Sequence, residues 1–278
     1  MPSTIGKAKL GRGKSERTNK HKTSITAQIS SIISNADIIL EVLDSRFIAK
    51  MRNPEMEKRA MVMGKTIVYI FSKSDLVDIK KVRAITESSG MKPSIFFSTK
   101  DRKSGARLKD MIKTLASRIE KPDVNVGIIG YPNSGKSSMI NLLAGRGVSR
   151  TSPEAGYTKG LQKIRLAEGL YLIDTPGIIP DFEKTSGNPD ARIKQAYLGS
   201  VTWDRTKNPE MVIAKIDEEF PGLIESHYGI NVGGDTEEII EKLGRRLNYL
   251  KKGNKVDEQR TAKKIIKDWQ EGKIRADK

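Results

Sequence analysis

The sequence predicts a doubly wound α/β domain with a mostly parallel sheet, followed by an α-helical domain. Three observations carry that prediction. Short apolar runs rich in β-branched and aromatic residues recur, each bounded by polar, Gly or Pro residues, as buried parallel strands require. A helical pattern separates the third run from the fourth, so strand and helix alternate. Beyond about residue 182 the β-branched runs stop and only helical periodicity follows.

Taken in order, residues 1–22 carry Lys7, Lys9, Arg12, Lys14, Arg17, Lys20 and Lys22 against a single acid, Glu16, and read as a basic arm that stays unfolded when free. The strand runs are ADIILEVLD from Ala36, KTIVYIF from Lys65 and PSIFF from Pro93. Leu108, Met111, Ile112, Leu115 and Ile119 then lie at helical spacing until Pro122 ends the pattern. NVGIIG and GLYLI add two more strands and carry the sheet to about Ile179. In the last part, Asp235 and Thr236 are positioned to cap a helix bearing Ile239, Ile240, Leu243, Leu247 and Leu250, which KKGN closes. Asp257 caps a second helix with Ala262, Ile265, Ile266 and Trp269 on one face and Gly272 past its end. The expected domains are 23–182 and 183–278.

Composition narrows the function classes. The 278 residues carry a formal charge of +17, which points to a polyanionic partner. With no cysteine, disulfide frameworks, thiolate zinc sites and thiol nucleophiles are excluded. No run approaches the ~18 apolar residues of a membrane span, and Pro2 stands where myristoylation needs glycine. A cytoplasmic, monomeric protein without a membrane partner is expected.

GYPNSGKSS, Gly130 to Ser138, fits the phosphate-cradling pattern GxxxxGK[S/T] and has the required context, since it follows a strand and opens a helix. Backbone N–H groups of Asn133, Ser134, Gly135, Ser137 and Ser138 would meet phosphates at the helix N-terminus. Lys136 would neutralise the β/γ oxygens and the Ser137 hydroxyl would ligate magnesium. DTPG, Asp174 to Gly177, ends another strand, so Asp174 would hold the metal through water and the Gly177 N–H would bind a γ-phosphate. Thr158, in EAGYTKG between the two motifs, is the candidate second magnesium ligand.

FSKSD and FFSTK each follow a strand and resemble the guanine-reading NKxD and SAK elements of Ras-like GTPases. They supply Ser72, Lys73 and Asp75, and Ser98, Thr99 and Lys100. An Asp carboxylate accepts from both the N1–H and the exocyclic amine of guanine, whereas adenine offers no such pair, so GTP and GDP are the expected ligands. In ordinary GTPases these two elements follow the phosphate loop; here they precede it. All five motifs sit on loops at the carboxyl edge of one sheet, so a circular permutation leaves the site intact.

Together with ADIILEVLDSR and RNPE, these motifs make the chain resemble the YlqF/RbgA-type circularly permuted GTPases, related to YawG and the nucleolar ribosome-assembly GTPases, from about Ile32 to the C-terminus. The resemblance implies a cytoplasmic GTPase that binds ribosomal RNA and acts in late maturation of the large ribosomal subunit. It also implies a potassium-assisted reaction with Asn133 as a cation ligand. Two positions depart from the pattern. Ser72 stands where Asn is usual, which predicts weaker affinity with selectivity kept by Asp75, and Ala155-Gly156 stands where Pro-Gly is usual. Ile178 and Ile179 follow Gly177 where Ras-like enzymes place a water-orienting Gln, so slow intrinsic hydrolysis is expected.

The C-terminal candidates for phosphate contact are Arg245, Arg246, Lys251, Lys252, Lys255, Arg260, Lys263, Lys264 and Lys267, with Trp269 expected in the core. An assembly factor released on GTP hydrolysis is the reading these features favour. The alternative is an RNA-binding scaffold that holds its nucleotide structurally.

Overall fold

The run from Ile38 to Leu43 has one polar side chain, Glu41, and such a run has to be covered on both faces. The computed structural model, which describes residues 25–144, 162–174 and 189–275, shows that cover. The basic arm lies outside the described residues.

The elements follow as α1 (Ile25–Asn35), β1 (Ile38–Asp44), α2 (Ile48–Met51), α3 (Pro54–Val62), β2 (Thr66–Ser72), α4 (Ile79–Ser88), β3 (Ser94–Phe96), α5 (Ser104–Ala116), β4 (Val124–Ile129), α6 (Lys136–Ala144), β5 (Gln162–Ala167) and β6 (Leu170–Asp174). The strands form one sheet in the order β3-β2-β1-β4-β6-β5. All neighbours are parallel except β5, which runs antiparallel to β6 as an edge strand. β1 therefore sits centrally, between the strand that precedes the Ser72 motif and the strand that precedes the phosphate loop.

Side-chain alternation along β1 decides what packs where. Ile38, Leu40 and Val42 join Leu108 and Ile112 of α5 and Met139 and Leu143 of α6 in one core. Ile39 and Leu43 face the opposite way, into a core that also contains Ile32 and Ile33 of α1. That second core continues into the C-terminal helices: α7 (Pro189–Tyr197), α8 (Pro209–Glu219), α9 (Leu223–Tyr228), α10 (Thr236–Arg246) and α11 (Glu258–Gln270). Trp269 is 3% exposed there, ringed by Phe47, Tyr197 and Phe220 at centroid distances of 5.5–5.7 Å.

Both expected caps form. Asp235 accepts from the N–H groups of Glu237 and Glu238, and Asp257 from that of Arg260. One expectation fails between them. The helix from Asp235 stops at Arg246 rather than reaching Leu250, and Leu250 to Val256 forms a two-stranded hairpin, β7 (Leu250–Lys251) with β8 (Lys255–Val256). Left-handed backbone at Asn248 and Asn254 and at Gly253 turns the chain there. The helix of α5 likewise ends at Ala116, one turn short of Ile119.

Candidate functional site

The phosphate loop leaves β4 at Gly130 and enters α6 at Lys136. Its course depends on glycine twice. Gly130 has φ 147°, and a Cβ there would stand 2.5 Å from the Val42 carbonyl oxygen; Gly135 has φ 104° beside Ser72. Asn133, also left-handed at φ 58°, completes the curl. Lys136 turns its ammonium onto the loop it follows, donating to the Gly130 carbonyl at 2.9 Å and to the Tyr131 carbonyl. Ser137 and Ser138 are exposed at the start of α6.

The guanine-motif residues lie beside this loop. Ser72, 2% exposed at the end of β2, places its hydroxyl 2.5 Å from the Ser134 carbonyl and 3.1 Å from that of Leu43. With one proton to give, it donates to the nearer oxygen. Lys73 follows in left-handed conformation, φ 52°, and its ammonium pairs with Asp44 at 2.9 Å. Asp75 accepts from the Ser98 hydroxyl at 2.7 Å and pairs with Lys100 at 2.7 Å. Burial pushes the Asp75 carboxyl up, but hydrogen bonds from Lys100 and Ser98 outweigh it and hold the group ionised, below its usual range. The Lys100 side chain is 71% exposed, so an incoming base edge displaces it at little cost. Thr99 is exposed next to it.

Asp174 ends β6, the neighbour of β4, at the same sheet edge as the loop. Thr158 and Gly177 lie outside the described residues. The fit of these residues to a nucleotide rests on the loop itself. The Ser134 hydroxyl is buried without a hydrogen-bond partner, in a curl that Gly130, Asn133 and Gly135 turn through positive φ. Serine hydroxyls and an aspartate are oxygen donors of the kind magnesium takes. Among the described residues no cluster of three His, Cys, Asp or Glu residues is placed to hold a metal ion.

The segment that follows β2 and the loop that follows β4 meet at one edge of the sheet. The family described as 50S ribosome-binding GTPase matches residues 125–240, which begin just before the phosphate loop. An uncharacterised GTP-binding protein of Methanocaldococcus jannaschii is 35% identical over 257 residues, covering 91% of this chain. Nucleolar GTP-binding protein 2 of Saccharomyces cerevisiae is 29% identical over 286 residues, 98% of this chain. GDP-bound YlqF of Thermotoga maritima superposes with a TM-score of 0.62 at 23% identity over 89% of this chain and 96% of its own; this likeness carries the fold.

The chain has the fold of YlqF and is similar to GTP-binding proteins over nine tenths of its length.

It spans 66% of the length of the archaeal relative and 55% of the yeast one. Within this family fold, the site holds residues that sequence reasoning left without a role. Asp44 was legible as the end of an apolar run, yet its partners Arg46 and Lys73 were not. Asp44 is fully buried; burial raises its carboxyl, and Arg46 and Lys73 together bring it below the usual range. Arg46 also donates to the Trp269 carbonyl at 2.8 Å, and the Asn133 amide to the Gly199 carbonyl at 2.8 Å, so both edges of the site touch the C-terminal helical layer.

The basic residues of that layer divide into two sets. Arg246 is spent on the Tyr228 and Gly229 carbonyls, Arg245 on Glu241, Lys263 on the Asp204 carbonyl and Lys264 on buried Asp268. Lys267 lies over the Trp203 ring, 5.0 Å from its centroid, and Arg260 over that of Tyr249 at 4.0 Å. The hairpin side chains Lys252 and Lys255 are exposed at its turn, and Lys251 reaches Asp257 at 3.4 Å. No helix among the described residues is long and apolar enough to cross a membrane.

Proposed function

We propose that this protein binds GTP and hydrolyses it slowly, and that it uses the two nucleotide states to join and leave a precursor of the large ribosomal subunit. The observation that supports this most is the bond from Ser72 to the Ser134 carbonyl, because it joins a guanine-reading segment to a phosphate-binding one within a single site. In this reading Asp75 selects guanine, Ser98, Thr99 and Lys100 line the base side, and Asn133 to Ser138 hold the phosphates. Magnesium, held by Ser137, Thr158 and Asp174, supplies charge neutralisation when bound. Asn133 offers its amide oxygen to a potassium ion against the phosphates. Residues 23–182 form the switch and 183–278 the RNA-binding part. The hairpin lysines Lys252 and Lys255 are the phosphate contacts best placed for it, since the other C-terminal candidates, Arg245, Arg246, Lys251, Arg260, Lys263, Lys264 and Lys267, each have an internal partner.

Ribosome binding is a property named for the matching family and the nucleolus for a relative; both come to this chain as part of the proposal. The test is single-turnover GTP hydrolysis with and without purified large ribosomal subunits, in potassium and in sodium buffer. Stimulation of about tenfold or more, about 1.4 kcal/mol off the barrier, supports a subunit-triggered switch. Salt-sensitive subunit binding without stimulation would favour the scaffold with a structural nucleotide, which the isoleucines after Gly177 also suit.

A further inference from the structure

We propose that Asp44 is a positioning residue for the nucleotide base, acting through Lys73. The inference rests on the guanine-binding reading above and adds a residue to it. Asp44 ends β1, the strand between β2, which leads into Lys73, and β4, which leads into the phosphate loop. Its carboxylate is sealed from solvent and receives four donors: the Arg46 backbone N–H at 3.1 Å, Arg46 Nε at 3.0 Å and Nη2 at 2.8 Å, and Lys73 Nζ at 2.9 Å. Two oxygens accept about four hydrogen bonds, so the set is complete. Losing a member leaves a charge buried without compensation, which makes the pairing obligatory.

That obligation fixes Lys73. Its left-handed backbone, φ 52°, is uncommon for a residue with a Cβ, and its side chain runs from the end of β2 to the end of β1. The four methylenes of that side chain therefore span the stretch of sheet edge between the Asp75 side and the strand beside the phosphate loop. A base whose edge is read at Asp75 and whose phosphates sit at Gly130–Ser138 has to cross the same stretch. The Lys73 side chain is 29% exposed, and its stem offers an apolar surface there, held in one conformation by the ion pair. Arg46 adds a second restraint, because its Nη1 is held by the Trp269 carbonyl of α11 and so orients the carboxylate from the helical layer.

The experiment is a double-mutant cycle on the full chain, read as affinity for a fluorescent GDP analogue, with urea unfolding measured on every variant. D44N keeps the shape and removes the charge; K73A removes the stem. Each is expected to weaken GDP binding five- to tenfold, and the double variant to bind no more weakly than the worse single one, because both break the same device. Guanine-over-adenine preference is expected to persist, since Asp75 is untouched. Multiplying effects, or a D44N protein that binds GDP as the unsubstituted one does, would overturn the proposal. Should D44N not fold, K73M decides: it keeps the apolar stem, loses the ion pair at a partly exposed position, and must also weaken binding. Failure of the unsubstituted protein to bind GDP would bring down the guanine-binding reading together with this one, whereas normal GDP binding by both D44N and K73M would bring down this one alone.

Discussion

The Ser72 hydroxyl and the Ser134 carbonyl are 62 residues apart in the chain and 2.5 Å apart in space. Ser72 is the position where the related GTPase motif has Asn, and the shorter side chain still reaches the loop that leads into α6. The departure thus keeps the tether between base motif and phosphate motif.

Removing that tether with Ser72→Ala is expected to weaken GDP and GTP binding alike by about five- to tenfold, in line with about 1 kcal/mol for a hydrogen bond whose buried carbonyl is left unpaired. Titration with both nucleotides checks it. A loss confined to one nucleotide would contradict a role in shaping the loop they share.

Asp75→Asn changes which base fits. An amide side chain offers a donor where the carboxylate had only acceptors, so guanine loses its paired contact while xanthine, with an oxygen in place of the exocyclic amine, gains one. Affinity for GDP is expected to fall at least ~100-fold and affinity for XDP to rise. Thermal unfolding should hardly change, because the amide oxygen can still accept from the Ser98 hydroxyl and the lost ion pair is with the exposed Lys100.

Asn133→Ala separates the cation proposal from loop bracing. It removes both the amide oxygen proposed for potassium and the bond to the Gly199 carbonyl. Hydrolysis with ribosomal subunits should lose its preference for potassium over sodium while GDP binding stays within about twofold. Stability should fall by about 1 kcal/mol, because alanine is strained at the left-handed φ of 58° that asparagine tolerates. A potassium preference that survives the substitution would move the cation elsewhere.

Glu41 predicts a pH effect. Burial, then the nearby Glu57 carboxylate, push its carboxyl up to about 8, and its Oε2 is buried without a hydrogen-bond partner. An unfolded Glu titrates near about 4.3. The folded protein therefore binds the extra proton between those values, and stability falls as pH rises through that window. Glu41→Gln cannot ionise, so its advantage over the parent should grow from near zero below pH 4 to roughly 2 kcal/mol at pH 8, allowing for relaxation around the charge. Urea unfolding at several pH values decides it. Parallel pH profiles would show that Glu41 ionises in place without cost.

Much of this was legible in the sequence where the signal is short and local. An apolar run such as Ile38–Leu43 dictates a strand buried on both faces whatever surrounds it. The phosphate loop carries its own geometry, because Gly130 and Gly135 permit the left-handed turns and Lys136 begins the helix. Since those motifs sit at strand ends, even their permuted order could be read as one site. The hairpin at Leu250–Val256 escaped notice because two-residue strands have no periodicity to detect. The antiparallel edge strand β5 escaped because its sequence does not say which neighbour it will find.

The division between Lys264, consumed by Asp268, and exposed Lys252 was not readable either, since both are simply lysines in a basic stretch. The same holds for Asp44 with Lys73 and Arg46, and for Arg46 with Trp269, 223 positions away. Backbone conformation and hydrophobic patterning act over a few residues, so the sequence by itself determined the parallel strands and the glycine-bearing loop between β4 and α6. Which charges neutralise one another depends on distances of about 3 Å between groups far apart in the chain, and the packed sheet and helical layer alone decided those.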